Sequence, residues 1–331
     1  MSLLKVDNLT LQFDTDEGRI LAVEDVSFEV NPGEILGLVG ESGSGKSVTA
    51  KSVMQLNPEN AVYDPGSRIT LNLDSGSVDI LSLKKAKDME IVRGGAVSMI
   101  FQEPMASFAP AITIGAQMVE QLLLHKEISQ QEAARISVEM LERVGISDAE
   151  HRFNQYAFEL SGGMRQRAMI AMALSTSPRL LIADEPTTAL DVTIQAQVID
   201  LMKDLVAEYG MGIIFITHDL GVIAQTADRV AVMYLGRLAE QGSVRDVIQR
   251  PAHPYTRGLL NALPKLENLD APLTPVPGDI PSPLERPSGC VFHTRCSMSE
   301  PRCQQAVPSM VDVYEGHRAA CFVTTEQGAE A

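Results

Sequence analysis

The sequence predicts an α/β fold built around a buried parallel sheet, and three observations favour this class. Two apolar runs, at 180–183 and 212–217, alternate with helical segments, which is the βαβ rhythm of a parallel sheet. A third apolar run, at 35–40, follows a tight turn and has the length of a strand that is buried on both faces. The chain has 331 residues, 45% of them apolar, which is enough core for one large domain with an appendage or for two domains.

The segments on either side of the first core strand have different periods. Residues 3–30 alternate apolar and polar positions around a polar tip at 14–19, which predicts an antiparallel hairpin or small sheet. The stretch 108–145 is helical in character, with a capping box from Ser129 to Glu132 that opens one helix. Both kinds of element are therefore expected beside the parallel strands.

Charge and hydropathy exclude two classes of protein. With 43 acidic and 27 basic residues the net charge is −16, which argues against a surface that neutralises a nucleic-acid backbone. No apolar run approaches the ~18 residues that would cross a bilayer. The N-terminus resembles no export signal, so we expect a cytosolic protein. Because of the negative net charge, we expect no nucleic-acid partner.

A glycine-rich loop after the 35–40 strand predicts a phosphate-binding site. It matches G-x-x-x-x-G-K-[ST], and a helical segment follows it. Consecutive backbone N–H groups of such a loop curl around phosphate oxygens, while Lys46 neutralises phosphate charge and the Ser47 hydroxyl binds Mg²⁺. The candidate residues are Gly40, Glu41, Ser42, Gly43, Ser44, Gly45, Lys46 and Ser47.

Two adjacent carboxylates end the 180–183 strand. Open α/β sheets bind their ligands at the carboxyl ends of strands, so the position of Asp184 and Glu185 favours a functional role over a structural one. We expect Asp184 to hold the Mg²⁺ ion and Glu185 to accept a proton from the attacking water.

The segment Leu160–Arg167, L-S-G-G-M-R-Q-R, resembles the signature of the ATP-binding subunits of ABC transporters. Ser161 is a helix N-cap, and the backbone of Gly162 and Gly163 is open to a γ-phosphate at a helix expected to begin at Met164. The resemblance implies that this phosphate belongs to ATP on a second subunit, so that the signature acts in trans. The commonest form of the motif has Gln at Met164, a departure that occurs in the peptide-importer branch.

Other positions match the family in order. The resemblance implies that Gln102 is the Q-loop glutamine, which contacts Mg²⁺. It also implies that His218 is the switch histidine, which contacts the γ-phosphate and supports catalytic Glu185. Asp191 matches the D-loop at the dimer interface. Phe13 is the best candidate for the aromatic ring that stacks on adenine, with a plain core residue as the alternative.

Within the family the resemblance is closest to the ATPase subunits of dipeptide and oligopeptide importers, through the motifs above and His253-Pro-Tyr-Thr256. It implies a P-loop ABC ATPase with a mixed sheet, an antiparallel N-terminal β-subdomain, a RecA-like core and a helical subdomain at about 103–160. That domain is expected over 1–250, and a small irregular Cys-rich C-terminal domain over 251–331.

The function implied is ATP hydrolysis that drives uptake of peptides or related small solutes. Nickel chelates, opines and oligosaccharides are alternative cargoes of the same branch. The implied partners are a second, different ATPase subunit in a heterodimer, two integral membrane permease subunits and an extracytoplasmic solute-binding protein. The chain is then expected to sit peripherally on the cytoplasmic face of the inner membrane.

The C-terminal segment contains every cysteine of the chain: Cys290, Cys296, Cys303 and Cys321. Their spacings do not fit the C-x2-4-C pairs of zinc modules, and a reducing compartment disfavours disulfides. Four thiolates in a Pro-rich segment suit a [4Fe–4S] cluster, and the resembling importers carry one there. Zn²⁺ and free thiols stay open as alternatives.

Two other classes fit less well. Soluble ABC ATPases of DNA repair, chromosome structure or translation normally carry long coiled-coil or zinc insertions, or fuse two ATPase domains. A P-loop kinase or GTPase does not require Leu-Ser-Gly-Gly before the carboxylate strand.

Overall fold

The computed structural model describes residues 1–187, 192–263 and 275–324. The strands are β1 (Leu4–Thr15), β2 (Gly18–Val30), β3 (Ile35–Val39), β4 (Ala61–Tyr63), β5 (Arg68–Leu73), β6 (Gly76–Asp79), β7 (Val97–Ile100), β8 (Leu180–Asp184), β9 (Gly212–Thr217), β10 (Arg229–Tyr234), β11 (Arg237–Ser243), β12 (Val311–Tyr314) and β13 (His317–Ala319). The helices are α1 (Lys46–Val53), α2 (Ala86–Met89), α3 (Ile114–His125), α4 (Gln130–Arg143), α5 (Ala149–Phe153), α6 (Gly162–Ser175), α7 (Val192–Tyr209), α8 (Leu220–Thr226), α9 (Val244–Gln249), α10 (Pro254–Asn261) and α11 (Pro301–Gln305).

The chain divides into two compact units, each assembled from separate segments. The first unit comprises Met1–Leu3, Val30–Glu34 and Asn72–Ile216. The second unit comprises Leu4–Glu29, Ile35–Leu71 and Thr217–Ala331. The domain boundary expected at residue 250 divides the chain along its sequence, whereas these units are each made of several segments that pack together. That boundary stays a prediction.

Parallel strands form the centre of the first unit, in the order β9–β8–β7. Every residue of β8 is buried, from Leu180 to Asp184, because side chains on both faces of the strand are covered. The apolar runs at 180–183 and 212–217 are therefore confirmed as buried strands.

The helices α3 and α4 of the first unit share a small apolar cluster of Val119, Leu122 and Ala133, and Phe153 of α5 packs against it. The Ser129 hydroxyl accepts a hydrogen bond from the Glu132 N–H at 3.2 Å, which confirms the predicted N-cap of α4. The other half of the capping box is replaced, since the Glu132 carboxylate accepts hydrogen bonds from Arg135 at 2.8 and 3.0 Å.

An antiparallel sheet opens the second unit. β1 neighbours β2 through a short turn at 16–17, and it pairs antiparallel with β4 and with β5. The apolar residues of β1 that the sequence pattern predicted to be buried are buried, in two alternating pairs: Leu4 with Val6, and Leu9 with Leu11. Asn8, with φ +48°, lies between the two pairs. The N-terminal antiparallel β-subdomain is thus confirmed.

A mixed sheet completes the second unit. β3 pairs parallel with β10, β10 pairs antiparallel with β11, and β13 and then β12 continue antiparallel from β11. The C-terminal segment, expected from the sequence to be irregular, contains α10, β12 and β13. The strands β12 and β13 have only four and three residues, which is too short for an apolar alternation to be recognised.

Candidate functional site

The glycine-rich loop connects β3 to α1 and adopts a conformation that glycine alone accommodates. Gly45, the N-cap of α1, has φ +97°, and a Cβ there would lie 2.8 Å from the Ala22 carbonyl oxygen. Gly40 has φ +153°, and its Cβ would collide with the Met233 carbonyl. The loop is therefore packed closely by backbone of β2 and β10, with the exposed Ser42 and Gly43 at its tip.

The Lys46 ammonium lies inside the curve of this loop. Its Nζ donates to the Gly40 carbonyl at 2.7 Å, the Glu41 carbonyl at 2.9 Å and the Ser44 hydroxyl at 3.3 Å. Lys46 is only 6% exposed, so a positive charge is held close to the N-terminus of α1. Ser47, half-buried, occupies the first turn of that helix. This arrangement suits the binding of phosphate groups.

Glu41 of the loop is bound by the C-terminal segment. Its N–H donates to the Tyr255 hydroxyl at 2.8 Å, and its carboxylate accepts two hydrogen bonds from Arg295, at 2.7 and 3.1 Å. Glu41 is thus in the predicted phosphate-binding loop, but neither of these partners was predicted from the sequence. The His253-Pro-Tyr-Thr256 motif was a signal for Tyr255, whereas no local pattern marks Arg295.

Two further candidates belong to the second unit. Phe13 lies near the end of β1, half-buried and opposite Ala61 of β4. His218 follows β9 directly and is exposed, and its neighbour Asp219 caps α8 by accepting from the Gly221 N–H at 2.7 Å. Their expected contacts with adenine and with the γ-phosphate stay predictions.

The first unit holds the paired carboxylates. Asp184 ends β8 and is 3% exposed. Glu185 adopts φ +48°, a left-handed conformation that is costly for a residue with a Cβ, and its N–H donates to the Ile216 carbonyl at 3.0 Å. Gln102 Nε2 donates to Glu185 Oε2 at 3.1 Å. The structure therefore brings the Q-loop candidate to the candidate base.

The signature segment opens α6. The Ser161 hydroxyl accepts from the Met164 N–H at 3.3 Å, so the predicted N-cap is confirmed. The expected start of the helix at Met164 is wrong: α6 begins at Gly162, because the residues after the cap already have helical backbone angles. Gly163 lies in the same first turn.

A link between α6 and the carboxylate loop was not foreseen. Gln166, wholly buried, donates through Nε2 to the Pro186 carbonyl at 2.5 Å, and Pro186 directly follows Glu185. The letters Arg-Gln-Arg after the signature were the available signal. The D-loop candidate Asp191 lies outside the described residues.

The cysteines converge on one pocket of the C-terminal segment. That pocket is lined by all four of them: Cys290, Cys296, Cys303 and Cys321. The Cys290 N–H also donates to the Cys303 carbonyl at 2.8 Å. Burial raises the pKa of Cys290 to about 11, and the neighbouring thiols raise it too. Over the described ranges, no group of three or more His, Cys, Asp or Glu side chains is arranged to hold a metal ion.

An exposed aromatic pair lies immediately before the signature. Tyr156 and Phe158 stack with ring centroids 5.3 Å apart, and Phe158 is 59% exposed. Ile112, also exposed, precedes Thr113, which forms a β-bridge with Tyr156. Such a patch is typical of a surface that contacts another protein. In the part of the chain that the structure describes, no helix combines the length and apolarity needed to cross a bilayer.

Family comparisons agree with this arrangement. Residues 23–188 match the model of the ABC transporter family, and residues 239–303 match that of the oligopeptide/dipeptide transporter C-terminal region. The chain therefore belongs to the ABC transporter family of ATP-binding proteins. It combines that ATP-binding domain with the C-terminal region of the oligopeptide/dipeptide branch.

Curated relatives match over nearly the whole length. A putative peptide import ATP-binding protein of Brucella abortus (strain 2308) is 48% identical, with 97% of this chain and 96% of the relative covered. The oligopeptide transport ATP-binding protein AppD of Bacillus subtilis (strain 168) is 46% identical, with 99% of each covered. The oligopeptide transport ATP-binding protein OppD of Salmonella typhimurium is 46% identical, with 98% and 95% covered.

Solved structures show the same fold. A dimeric ABC cassette in a post-hydrolysis state, bound to ADP and phosphate, has a TM-score of 0.65 at 24% identity and covers 73% of this chain and 99% of its own. The cbiO1 protein of Clostridium perfringens, part of an ABC transporter complex, has a TM-score of 0.60 at 26% identity, with 75% and 91% covered. The chain therefore has the P-loop ABC ATPase fold.

Proposed function

We propose that this chain is the ATP-hydrolysing subunit of an ABC importer for peptides or related small solutes. The proposal rests on the P-loop and its support. Lys46 lies inside the loop, and Glu41 of the same loop is bound by Arg295, which belongs to the C-terminal region of the oligopeptide/dipeptide transporter type. The relatives that match over the whole chain are named as peptide or oligopeptide import ATP-binding proteins. The particular solute stays open.

The residues of each unit have separate roles in the proposed reaction. Lys46 and the N-terminus of α1 neutralise phosphate charge, and loop N–H groups hold phosphate oxygens. Glu185 takes the proton of the attacking water, and Gln102 orients its carboxylate through the 3.1 Å hydrogen bond. His218 contacts the γ-phosphate and supports Glu185.

The residues proposed for Mg²⁺ fit that ion chemically. Hydroxyl, carboxylate and amide oxygens are the ligands that Mg²⁺ prefers, and Ser47, Asp184 and Gln102 supply one of each. When bound, the ion neutralises charge that develops on the phosphates. Asp184, at 3% exposure, is a carboxylate whose burial a nearby cation would compensate.

A second ATPase subunit fits the exposed signature. Ser161 and Gly162 are exposed, and a Cβ at Gly162 would meet nothing within 4 Å. A helix N-terminus of this kind, with free space in front of it, can receive phosphate from ATP on another chain. We propose that this second subunit is a different ATPase chain, so that the two form a heterodimer.

Membrane permease subunits fit the aromatic pair Tyr156–Phe158. The rings lie next to the signature helix, so a contact there can be transmitted to α6. In this proposal the chain works peripherally on the cytoplasmic face of the inner membrane, with two permeases and an extracytoplasmic solute-binding protein.

A [4Fe–4S] cluster is proposed for the cysteine pocket. Two observations support the proposal: all four cysteines line one pocket, and a cluster would compensate the desolvation that raises the pKa of Cys290. The four side chains, which are not arranged around a metal ion in this structure, would have to draw together to bind it. The cluster would be held by Cys290, Cys296, Cys303 and Cys321. A single Zn²⁺ ion is the alternative. The role assigned is structural, since ATP hydrolysis transfers no electron.

Replacement of the base tests the function. Glu185→Gln removes the proton acceptor but keeps the shape and the hydrogen bond capacity, so we expect hydrolysis to fall by at least about 100-fold while ATP binding persists. The measurements are phosphate release and ATP binding by the purified chain with its membrane subunits. Glu142→Gln, at an exposed glutamate of α4, is the matched control. Turnover by Glu185→Gln at the wild-type rate would contradict the assignment.

A further inference from the structure

Arg295 belongs to the C-terminal segment and yet serves the P-loop. Its side chain is 4% exposed and that of Glu41 is 26% exposed, so their ion pair is largely withdrawn from water. Two parallel N–H···O bonds, at 2.7 and 3.1 Å, fix the carboxylate in one orientation. A lysine at this position would keep the charge and lose the fork.

The other donors of the guanidinium are fixed as well. Nε donates to the Pro277 carbonyl at 2.9 Å, and Nη2 also donates to the Val276 carbonyl at 3.2 Å. The guanidinium carbon lies 5.7 Å from the centre of the Tyr234 ring. Arg295 is therefore held by its own segment while it holds Glu41.

Tyr255 fixes the same loop residue from α10. Its hydroxyl accepts the Glu41 N–H at 2.8 Å, and the side chain is fully buried. Its ring lies 4.7 Å from Tyr234 and 5.3 Å from Phe292, measured between centroids. A buried aromatic cluster of this kind leaves the hydroxyl little freedom.

Glu41 in turn positions the phosphate-binding lysine. Its carbonyl oxygen accepts from Lys46 Nζ at 2.9 Å, so displacement of Glu41 displaces an acceptor of the ammonium. Each polar group of Glu41 is thus engaged: the N–H by Tyr255, the carboxylate by Arg295 and the carbonyl by Lys46. The consequence is a continuous path from the C-terminal segment to the ammonium.

We propose that Arg295 and Tyr255 are positioning residues for ATP binding, which hold the P-loop through Glu41 in its phosphate-binding conformation. This inference rests on the proposed ATP-binding role of the P-loop. It assigns a task to the C-terminal region: preorganisation of the nucleotide site, by contacts that do not touch nucleotide.

The test uses Arg295→Lys and Tyr255→Phe in the full chain, with Arg302→Lys as the matched control. Arg302 is another arginine of the C-terminal segment, paired with Glu300 of that segment rather than with the P-loop. We expect each of the two variants to weaken ATP and ADP binding about tenfold, the size of one charge-assisted or buried hydrogen bond, while the control binds as wild type. KM should rise and kcat stay within about twofold.

A double-mutant cycle tests whether Arg295 acts through Glu41. Glu41→Gln combined with Arg295→Lys should bind ATP no worse than the weaker single variant, because both remove the same contact. Additive losses would overturn the proposal, and so would a lowered thermal midpoint with unchanged nucleotide affinity. Should Arg295→Lys fail to fold, Tyr255→Phe, which deletes one oxygen, decides alone.

Lys46→Ala separates this inference from the proposed function. If Lys46→Ala weakens ATP binding by about 100-fold while Arg295→Lys and Tyr255→Phe bind normally, the positioning role is wrong and the ATP-binding role of the P-loop stands. If Lys46→Ala also binds ATP normally, the assignment of the P-loop fails and the positioning role fails with it.

Discussion

The P-loop and the signature segment both open a helix with glycine or serine, yet they differ in how they are supported. The P-loop is packed against backbone and held by Tyr255 and Arg295, with Lys46 only 6% exposed. The signature exposes Ser161 and Gly162 and has open space beside Gly162. The P-loop is therefore held in one conformation by the contacts around it, whereas the signature segment is exposed to solvent.

The difference fits the two proposed ligand sources. A loop that wraps the phosphates of its own nucleotide gains affinity from being fixed before binding, because less ordering is needed. A signature that receives a nucleotide carried by another chain must keep its N–H groups accessible. Support from the C-terminal segment is therefore expected to affect nucleotide affinity rather than turnover.

Among these variants, Lys46→Ala should weaken ATP binding at the P-loop most strongly. The substitution removes three hydrogen bonds to the loop and the charge that faces the phosphates, so we expect ATP affinity to fall by about 100-fold. Titration calorimetry measures the change. Lys51→Ala, on the same helix α1, is the control and should bind ATP normally. Comparable affinities for the two variants would refute the assignment.

The next prediction concerns the cysteine pocket of the C-terminal segment, which also supplies the support of the P-loop. If a [4Fe–4S] cluster fills it, anaerobically purified protein should contain iron and absorb visible light, and Cys303→Ser should lose both. Ser288→Ala, also in the C-terminal segment, should keep both. Iron-free, colourless wild-type protein would contradict the proposed cluster, and one zinc ion per chain would favour the Zn²⁺ alternative.

His253, in the same C-terminal segment, should make the stability of the fold depend on pH, which is a smaller effect. Burial lowers its pKa from 6.5 to about 4, partly opposed by Glu240, and its Nδ1 accepts the Tyr255 N–H at 3.1 Å. The unfolded chain then binds a proton that the folded chain excludes, so the free energy of unfolding should be complete above about pH 6.5 and fall by roughly 3 kcal/mol toward pH 4.

The variant His253→Asn keeps a capping side chain but removes the titrating group, so its stability should depend less on pH over this range. Urea unfolding at several pH values measures the slope. His151→Asn, at an exposed histidine, should retain the wild-type slope. An unchanged slope in His253→Asn would show that other groups produce the acid sensitivity.

Local patterns were sufficient for much of the fold and for part of the site. The alternation of β1, the buried runs of β8 and β9, and the caps Ser129 and Ser161 depend on neighbours in sequence, and each was confirmed. The start of α6 was wrong by two residues, because the caps fix a helix start more closely than motif letters do.

The sequence by itself determined the P-loop, the carboxylates that end β8 and the family, because these depend on short, ordered spacings. Only the tertiary structure decided what braces the P-loop. Glu41 and Arg295 are separated by 254 positions, and no periodicity relates them. Likewise β13 joins β11 through a few backbone hydrogen bonds that no side-chain pattern announces. Such partners are chosen when distant segments pack, since an ion pair or strand edge accepts any complementary group that the fold brings within reach.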